Sequence, residues 1–132
     1  MKQVIAARQL WLAFTDDTIS GAMILNHAHN ERYNDFPWPS QLDDSEYLVV
    51  HTLAVGLGFE RRGIAKQMLE FAKHLAVTGH LKAVRLDVLV GNVPAERLYP
   101  AAGFTLMGSI PMDYEDCGTV DTELYEWTVP PQ

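Results

Sequence analysis

The sequence predicts an α/β domain of the α+β kind, with a mixed sheet of about six strands built around one central βαβ unit. Three observations point there. Tyr47 to Val55 (YLVVHTLAV) is a nearly continuous apolar run enriched in β-branched residues, the pattern of a central strand covered on both faces. At Ile64 the apolar period becomes helical, with Ile64, Met68, Phe71, Ala72 and Leu75 on one face and Lys66, Gln67, Lys73 and His74 elsewhere. Ala83 to Val90 (AVRLDVLV) then alternates, which puts Val84, Leu86, Val88 and Val90 on one side of a strand.

The remaining elements follow in order. Residues 2–9 read as a short helix or an extended lead-in. Leu10–Thr15 (LWLAFT) and Ile19–Asn26 are apolar runs, the second broken by Gly21, and the polar turn Asp16-Asp17-Thr18 between them suggests an antiparallel hairpin. Residues 27–46 (HAHNERYNDFPWPSQLDDSE) carry two prolines and many polar side chains and read as one long loop. Gly56–Gly63 (GLGFERRG) is a glycine-bearing turn into the first helix, and Gly79 stops that helix. Asn92 is a suitable N-cap for a second helix to about Ala101, with Pro94 tolerated in its first turn and Gly103 ending it. Phe104–Ile110 and Glu123–Val129 read as two more strands around an acidic loop.

At 132 residues the chain is a single domain, 1–132. Ten Lys and Arg against 17 Asp and Glu leave a net charge of −7, which repels phosphate backbones and anionic lipid; nucleic acid and membrane are poor default partners and a cationic substrate suits the sign. The single cysteine, Cys117, excludes an internal disulfide, and its acidic neighbours disfavour a thiolate. No signal-peptide pattern or apolar stretch of membrane-spanning length is present, so the expected compartment is the cytoplasm. His27 and His29 share a spacing but lack a third ligand, so no metal site is expected.

The informative segment runs strand, glycine-rich turn, helix: HTLAV-GLGFERRG-IAKQMLEFA. A helix N-terminus carries unpaired N–H groups and partial positive charge, and a glycine there lets an anion approach the backbone. Such a turn suits a phosphate or pyrophosphate, although a plain strand–helix turn has the same composition. Downstream, Asn92, Ala95, Leu98, Tyr99, Gly103 and Phe104 stand in the order N-x-x-A-x-x-L-Y-x-x-x-G-F.

That motif resembles the signature of the GNAT superfamily, the Gcn5-related N-acetyltransferases. Glu60-Arg61-Arg62-Gly63-Ile64-Ala65 resembles the family's R/Q-x-x-G-x-G/A loop one strand upstream. The resemblance covers roughly residues 10–129. It implies a GNAT-like sheet whose parallel strands 47–55 and 83–90 splay apart to admit the pantetheine arm of acetyl-CoA. Leu53, Ala54 and Val55 would offer backbone groups to that arm. Backbone N–H groups from Arg61 through Arg62, Gly63 and Ile64 to Ala65 would hold the pyrophosphate. The side chains of Arg61 and Arg62 would add charge there or stay solvated, and Asn92 would touch the pantetheine, cap its helix, or both.

The resemblance further implies an N-acetyltransferase that moves an acetyl group from acetyl-CoA directly to a primary amine in a ternary complex. Tyr99 matches the tyrosine that protonates or hydrogen-bonds the departing thiolate; a packed core tyrosine is the plainer reading. His51 is the best candidate for the base that takes the amine's proton, competing with a water chain to an acidic side chain. A non-catalytic acyl-CoA-binding or structural module is the alternative.

Two departures from the family pattern matter. Glu60 stands where Gln or Arg is usual, and Arg61 and Ala65 stand at common glycines. Ahead of the hairpin the family places a strand and two helices, whereas about nine residues precede it here, so an N-terminally truncated sheet is expected. Strand 10–15 would then be an unblunted apolar edge, and a homodimer through that N-terminal edge is the expected assembly, the alternative being that residues 1–9 fold back and cap the edge in a monomer. The acidic loops 31–46 and 111–123, with Tyr33, Phe36 and Trp38, would flank a cationic acceptor or simply be solvated.

Overall fold

The structure is a computed structural model that describes residues 2–5, 9–29, 31–39, 41–114 and 118–131. Its elements are β1 (Lys2–Ile5), β2 (Leu10–Thr15), β3 (Thr18–Asn26), β4 (Tyr47–Val55), α1 (Ile64–Thr78), β5 (Ala83–Leu89), α2 (Val93–Ala101), β6 (Thr105–Tyr114) and β7 (Gly118–Thr128). Short 3-10 turns occupy Glu31–Asp35 and Asp44–Glu46. The strands form one mixed sheet in the order β1-β2-β3-β4-β5-β7-β6, with β4 and β5 parallel and the other pairs antiparallel. The α+β class and the central βαβ unit are as expected. No helix among the described residues is long and apolar enough to cross a membrane.

The N-terminal expectation is corrected. β1 pairs antiparallel with β2, from Lys2 opposite Phe14 to Ile5 opposite Trp11. β2 is therefore not a free edge, and the dimer interface expected there loses its premise. A four-residue strand carries no alternation to read; it exists because backbone groups of β2 need partners. The acidic loop at 111–123 is corrected too. Most of it is a long hairpin in which Asp113 lies opposite Thr119 and Pro111 opposite Asp121. The tip with Glu115, Asp116 and Cys117 lies outside the described residues.

Two cores sandwich the sheet. On one face α1 buries Ile64, Met68, Leu69, Ala72 and Ala76 against Met23, Leu25, Val50, Val84, Leu86 and Val88. Gly21 makes that contact possible, because a Cβ there would come within 2.8 Å of Met68 Sδ and 3.1 Å of the Ala54 carbonyl oxygen. On the other face Tyr33, Trp38, Tyr47, Val49, Ala83, Met112 and Leu124 form a second cluster. Segment 27–46 is thus the cover of the second face rather than a free loop. Tyr33 and Trp38 are core residues, and the Trp38 indole N–H donates to the Tyr33 carbonyl at 2.9 Å.

The cation those aromatics hold is the chain's own. Arg85 is 2% exposed, and its guanidinium carbon lies 3.9 Å from the Trp38 ring centre and 4.3 Å from that of Tyr47. Its Nε donates to Glu126 Oε2 at 2.7 Å, and Glu126 is equally buried. This arrangement pins the 27–46 cover to β5 and β7. Removing one member of a buried ion pair leaves a charge without its compensation, which costs about 3–5 kcal/mol. Glu126→Gln, which keeps shape and one acceptor oxygen, is expected to lose about 3 kcal/mol in urea unfolding; a loss under about 1 kcal/mol would show that the rings alone hold Arg85.

Candidate active site

The site begins where β4 and β5 part. Their pairing runs from Tyr47 opposite Ala83 to Val50 opposite Leu86 and stops. Beyond it β4 stays bonded to β3, Leu53 opposite Met23 and Val55 opposite Gly21, while β5 stays bonded to β7. The cause is local. Between Val50 and Leu53 of β4 there is one residue more than between Leu25 and Met23 of β3, so β4 bulges at His51–Thr52 and turns away. The parting strands leave a fork in which, among the described residues, one backbone edge of Leu53, Ala54 and Val55 has no strand beside it. Exposed apolar side chains crowd the two strand ends, Leu57 at 93%, Val90 at 51%, Val93 at 50% and Leu89 at 39% exposure. An open strand edge lined with uncovered apolar surface fits an extended, partly apolar ligand.

Below the fork, Gly56–Gly63 leads into α1. Gly63 is the N-cap at φ 75°, and a Cβ built there or at Gly58 meets nothing within 4 Å. The loop is therefore open above the first N–H groups of the helix, as an anion cradle requires. Glu60 turns its carboxylate back, with Oε2 accepting the Gly58 N–H at 2.9 Å. Arg62 lies over the Phe59 ring at 5.2 Å, and Arg61 is exposed at φ 65°, a left-handed conformation in which a glycine would be unstrained.

Over residues 3–104 the sequence matches the acetyltransferase (GNAT) family. The chain belongs to the GNAT family. It is 34% identical over 96 residues to a streptothricin acetyltransferase from Escherichia coli, a match covering 73% of this chain and 47% of that relative, so the chain spans about half the relative's length. Among solved structures it resembles the Salmonella typhimurium protein yncA, solved with its cofactor acetyl-CoA, at TM-score 0.71 and 13% identity over 93% of this chain and 65% of that one. It also resembles a GNAT-family acetyltransferase from Listeria monocytogenes, at TM-score 0.67 and 23% identity over 91% and 64% of the two chains. At these identities the structural likeness shows the fold.

Of the other residues singled out in the sequence, Asn92 and Tyr99 belong to α2 with its N-cap, and His51 to β4. Asn92 is the N-cap of α2, its Oδ1 accepting the Ala95 N–H at 3.4 Å, so the capping reading holds whatever else the side chain does. Tyr99, on α2, packs among Phe104 and Tyr125 at ring distances of 6.1 and 5.7 Å. Its hydroxyl makes no hydrogen bond among the described residues. Burial, the nearby charge of Asp87 and Tyr125 push its pKa up to about 12.

His51 lies at the bulge, exposed, with Nε2 2.6 Å from Asn26 Oδ1. Asn26 Oδ1 also accepts the Ala28 N–H at 2.9 Å, which identifies it as the carbonyl oxygen, so His51 must donate through Nε2–H. The neutral ring then carries its free lone pair on Nδ1. His27 and His29 have separate partners: the His27 Nδ1 donates to the Tyr47 carbonyl at 2.7 Å, and His29 bonds Asp44 at 2.8 Å.

Sequence reasoning missed Asp87. It is the first residue of β5 beyond the last one paired to β4, so it borders the fork. In an alternating strand it reads as an ordinary solvent-facing position; only the hydroxyl partners brought by distant segments distinguish it.

The tyrosines dictate how the fold responds to base. Tyr33, Tyr47, Tyr99 and Tyr125 all have raised pKa values, burial being the first cause in each. A phenol whose folded pKa lies above its unfolded value binds more protons in the folded state, so its contribution is intact below pH ~10 and is lost as pH rises through the folded value. Stability is expected to fall between pH ~10 and about 12, the window set by Tyr99, by about 2–3 kcal/mol from that residue alone. Urea midpoints measured at successive alkaline pH values check this; a flat profile would refute the burial of these hydroxyls.

Proposed function

We propose that the chain is an N-acetyltransferase that transfers the acetyl group of acetyl-CoA to a primary amine. The observation that carries the reading is the fork itself: a β4 edge and, on the α2 side, a Tyr99 hydroxyl that are both unpartnered among the described residues, with an open glycine-capped helix N-terminus at one end. The family match and the acetyl-CoA in the related yncA structure support it. In this reading Leu53, Ala54 and Val55 bond the pantetheine. The N–H groups from Arg61 to Ala65 hold the pyrophosphate, with the side chains of Arg61 and Arg62 adding charge, and Asn92 lies beside the arm.

His51 takes a proton from the acceptor ammonium on Nδ1. The freed lone pair attacks the thioester carbonyl carbon, a C–N bond forms, and the C–S bond breaks. The Tyr99 hydroxyl meets the charge that develops on sulfur, and the remaining excess proton on nitrogen restores whatever proton Tyr99 gives up. No covalent enzyme intermediate is needed.

The test is amine-dependent release of free CoA with a panel of primary amines that includes streptothricin, the compound named in the curated relative. Release above the no-amine rate is expected. Thermal stabilisation by acetyl-CoA with no release from any amine would instead mark an acyl-CoA-binding module. If His51 is the base, His51→Gln lowers kcat by about 10–10²-fold and leaves acetyl-CoA affinity intact; an unchanged kcat transfers the base role to solvent.

A further inference from the structure

We propose that Asp87, presented by Tyr33 and Tyr114, anchors the positive charge of the acceptor, and that it makes the site selective for cationic amines. The proposal rests on the acetyltransferase reading and adds the acceptor's half of the site.

Asp87 borders the fork immediately past the Val50–Leu86 pair. Opposed residues in an antiparallel pair share a face, and Asp87 lies opposite Leu124, a member of the second core. Its carboxylate therefore stands on the face opposite α1 and α2. His51 reaches the same face through Asn26, which lies opposite Val49 of that core. Tyr99 approaches from the helix side. In the acetyltransferase reading, the amine would approach a thioester in the fork from the face that carries His51 and Asp87, opposite the helix that carries Tyr99.

The environment of Asp87 is specific. The Tyr33 hydroxyl donates to Oδ1 at 2.9 Å and the Tyr114 hydroxyl donates to Oδ2 at 2.7 Å. Tyr33 is 1% exposed, so the donor of this part-buried bond is fixed by the packing of the second core. Tyr114 is oriented in turn by Thr122 Oγ1 at 3.1 Å. Each donor fills one acceptor position of a carboxylate that has about four, so both oxygens keep capacity for further donors.

Carboxylates removed from water are normally paired with a cation. Asp87 is half-buried, yet no Lys or Arg among the described residues forms an ion pair with it. Two neutral hydroxyls orient it, and the charge itself remains available to a bound cation. An alkylammonium supplies that charge and three N–H donors. A carboxylate held in place by two hydroxyl donors is set to accept such N–H groups, so the role that fits is anchoring, with His51 as base.

The test compares two nucleophiles on the wild type and Asp87→Asn: butylamine, protonated at neutral pH, and hydroxylamine, uncharged there. In the variant the KM for butylamine is expected to rise about 30-fold or more, while that for hydroxylamine moves less than about threefold. Tyr114→Phe, which frees Oδ2 but keeps the charge, should shift the butylamine KM in the same direction by a smaller factor. An equal rise for both nucleophiles, or no rise for butylamine, overturns the anchor. Absence of CoA release from the wild type with either nucleophile overturns the acetyltransferase reading itself, which separates the two failures.

Discussion

Tyr99→Phe is expected to lower kcat by about 10²–10³-fold while leaving acetyl-CoA affinity within about threefold of the wild type. The substitution is clean for reasons visible in the fold. The ring contacts with Phe104 and Tyr125 survive in phenylalanine, and the hydroxyl has no hydrogen bond among the described residues to lose. The size of the effect follows from what the hydroxyl does. A pKa pushed up to about 12 keeps Tyr99 protonated across the working range but makes it a weak acid. Delivering its proton outright to a thiolate of ordinary basicity, pKa ~8.5, would be uphill by some three units. Its main contribution is then a hydrogen bond that strengthens as negative charge appears on sulfur, comparable to one donor of an oxyanion hole. Stopped-flow detection of CoA with a basic amine gives kcat, and calorimetry gives the affinity. An unaltered kcat would reduce Tyr99 to a packing residue.

The half of the molecule proposed to bind acetyl-CoA was legible because its signals are local. Helical spacing from Ile64, the alternation Val84, Leu86, Val88, the Asn92 cap and Tyr99 each lie within one element, and the structure returns them nearly unchanged. Even there the edges slipped. Val90 is exposed past the end of β5, and Leu69 and Ala76 join the buried face of α1.

What stayed hidden depends on contacts between distant segments. Arg85 looks like an outward residue of an alternating strand until Glu126, 41 residues on, and the rings of Trp38 and Tyr47 close around it. Tyr33 and Trp38 look like acceptor aromatics because composition cannot say that their loop folds back as the cover of a sheet face. Asp87 has the same history as Arg85, two positions along, with the difference that its partners are neutral. β1 leaves no pattern because a four-residue strand is held by backbone bonds, which every sequence can make.

Gly63→Asp is expected to weaken acetyl-CoA binding by about 10²–10³-fold while the fold survives. Gly63 sits at φ 75°, a left-handed conformation that aspartate and asparagine adopt more readily than other residues with side chains. A Cβ there meets nothing within 4 Å, so the new side chain displaces no packing. At the N-cap of α1 a carboxylate even favours the helix, accepting N–H groups of the first turn and opposing the macrodipole. The same carboxylate then occupies the donors the pyrophosphate needs and faces it charge to charge. Two like charges about 4 Å apart near a protein surface repel by about 4 kcal/mol, which corresponds to roughly 10³ in affinity. Gly63→Asn has nearly the same shape and backbone demand without the charge, and is expected to lose no more than about tenfold. Calorimetric titration of both variants separates the causes. Equal losses would trace the effect to the backbone, and an unchanged affinity in Gly63→Asp would mean that the phosphates bind somewhere other than the N-terminus of α1.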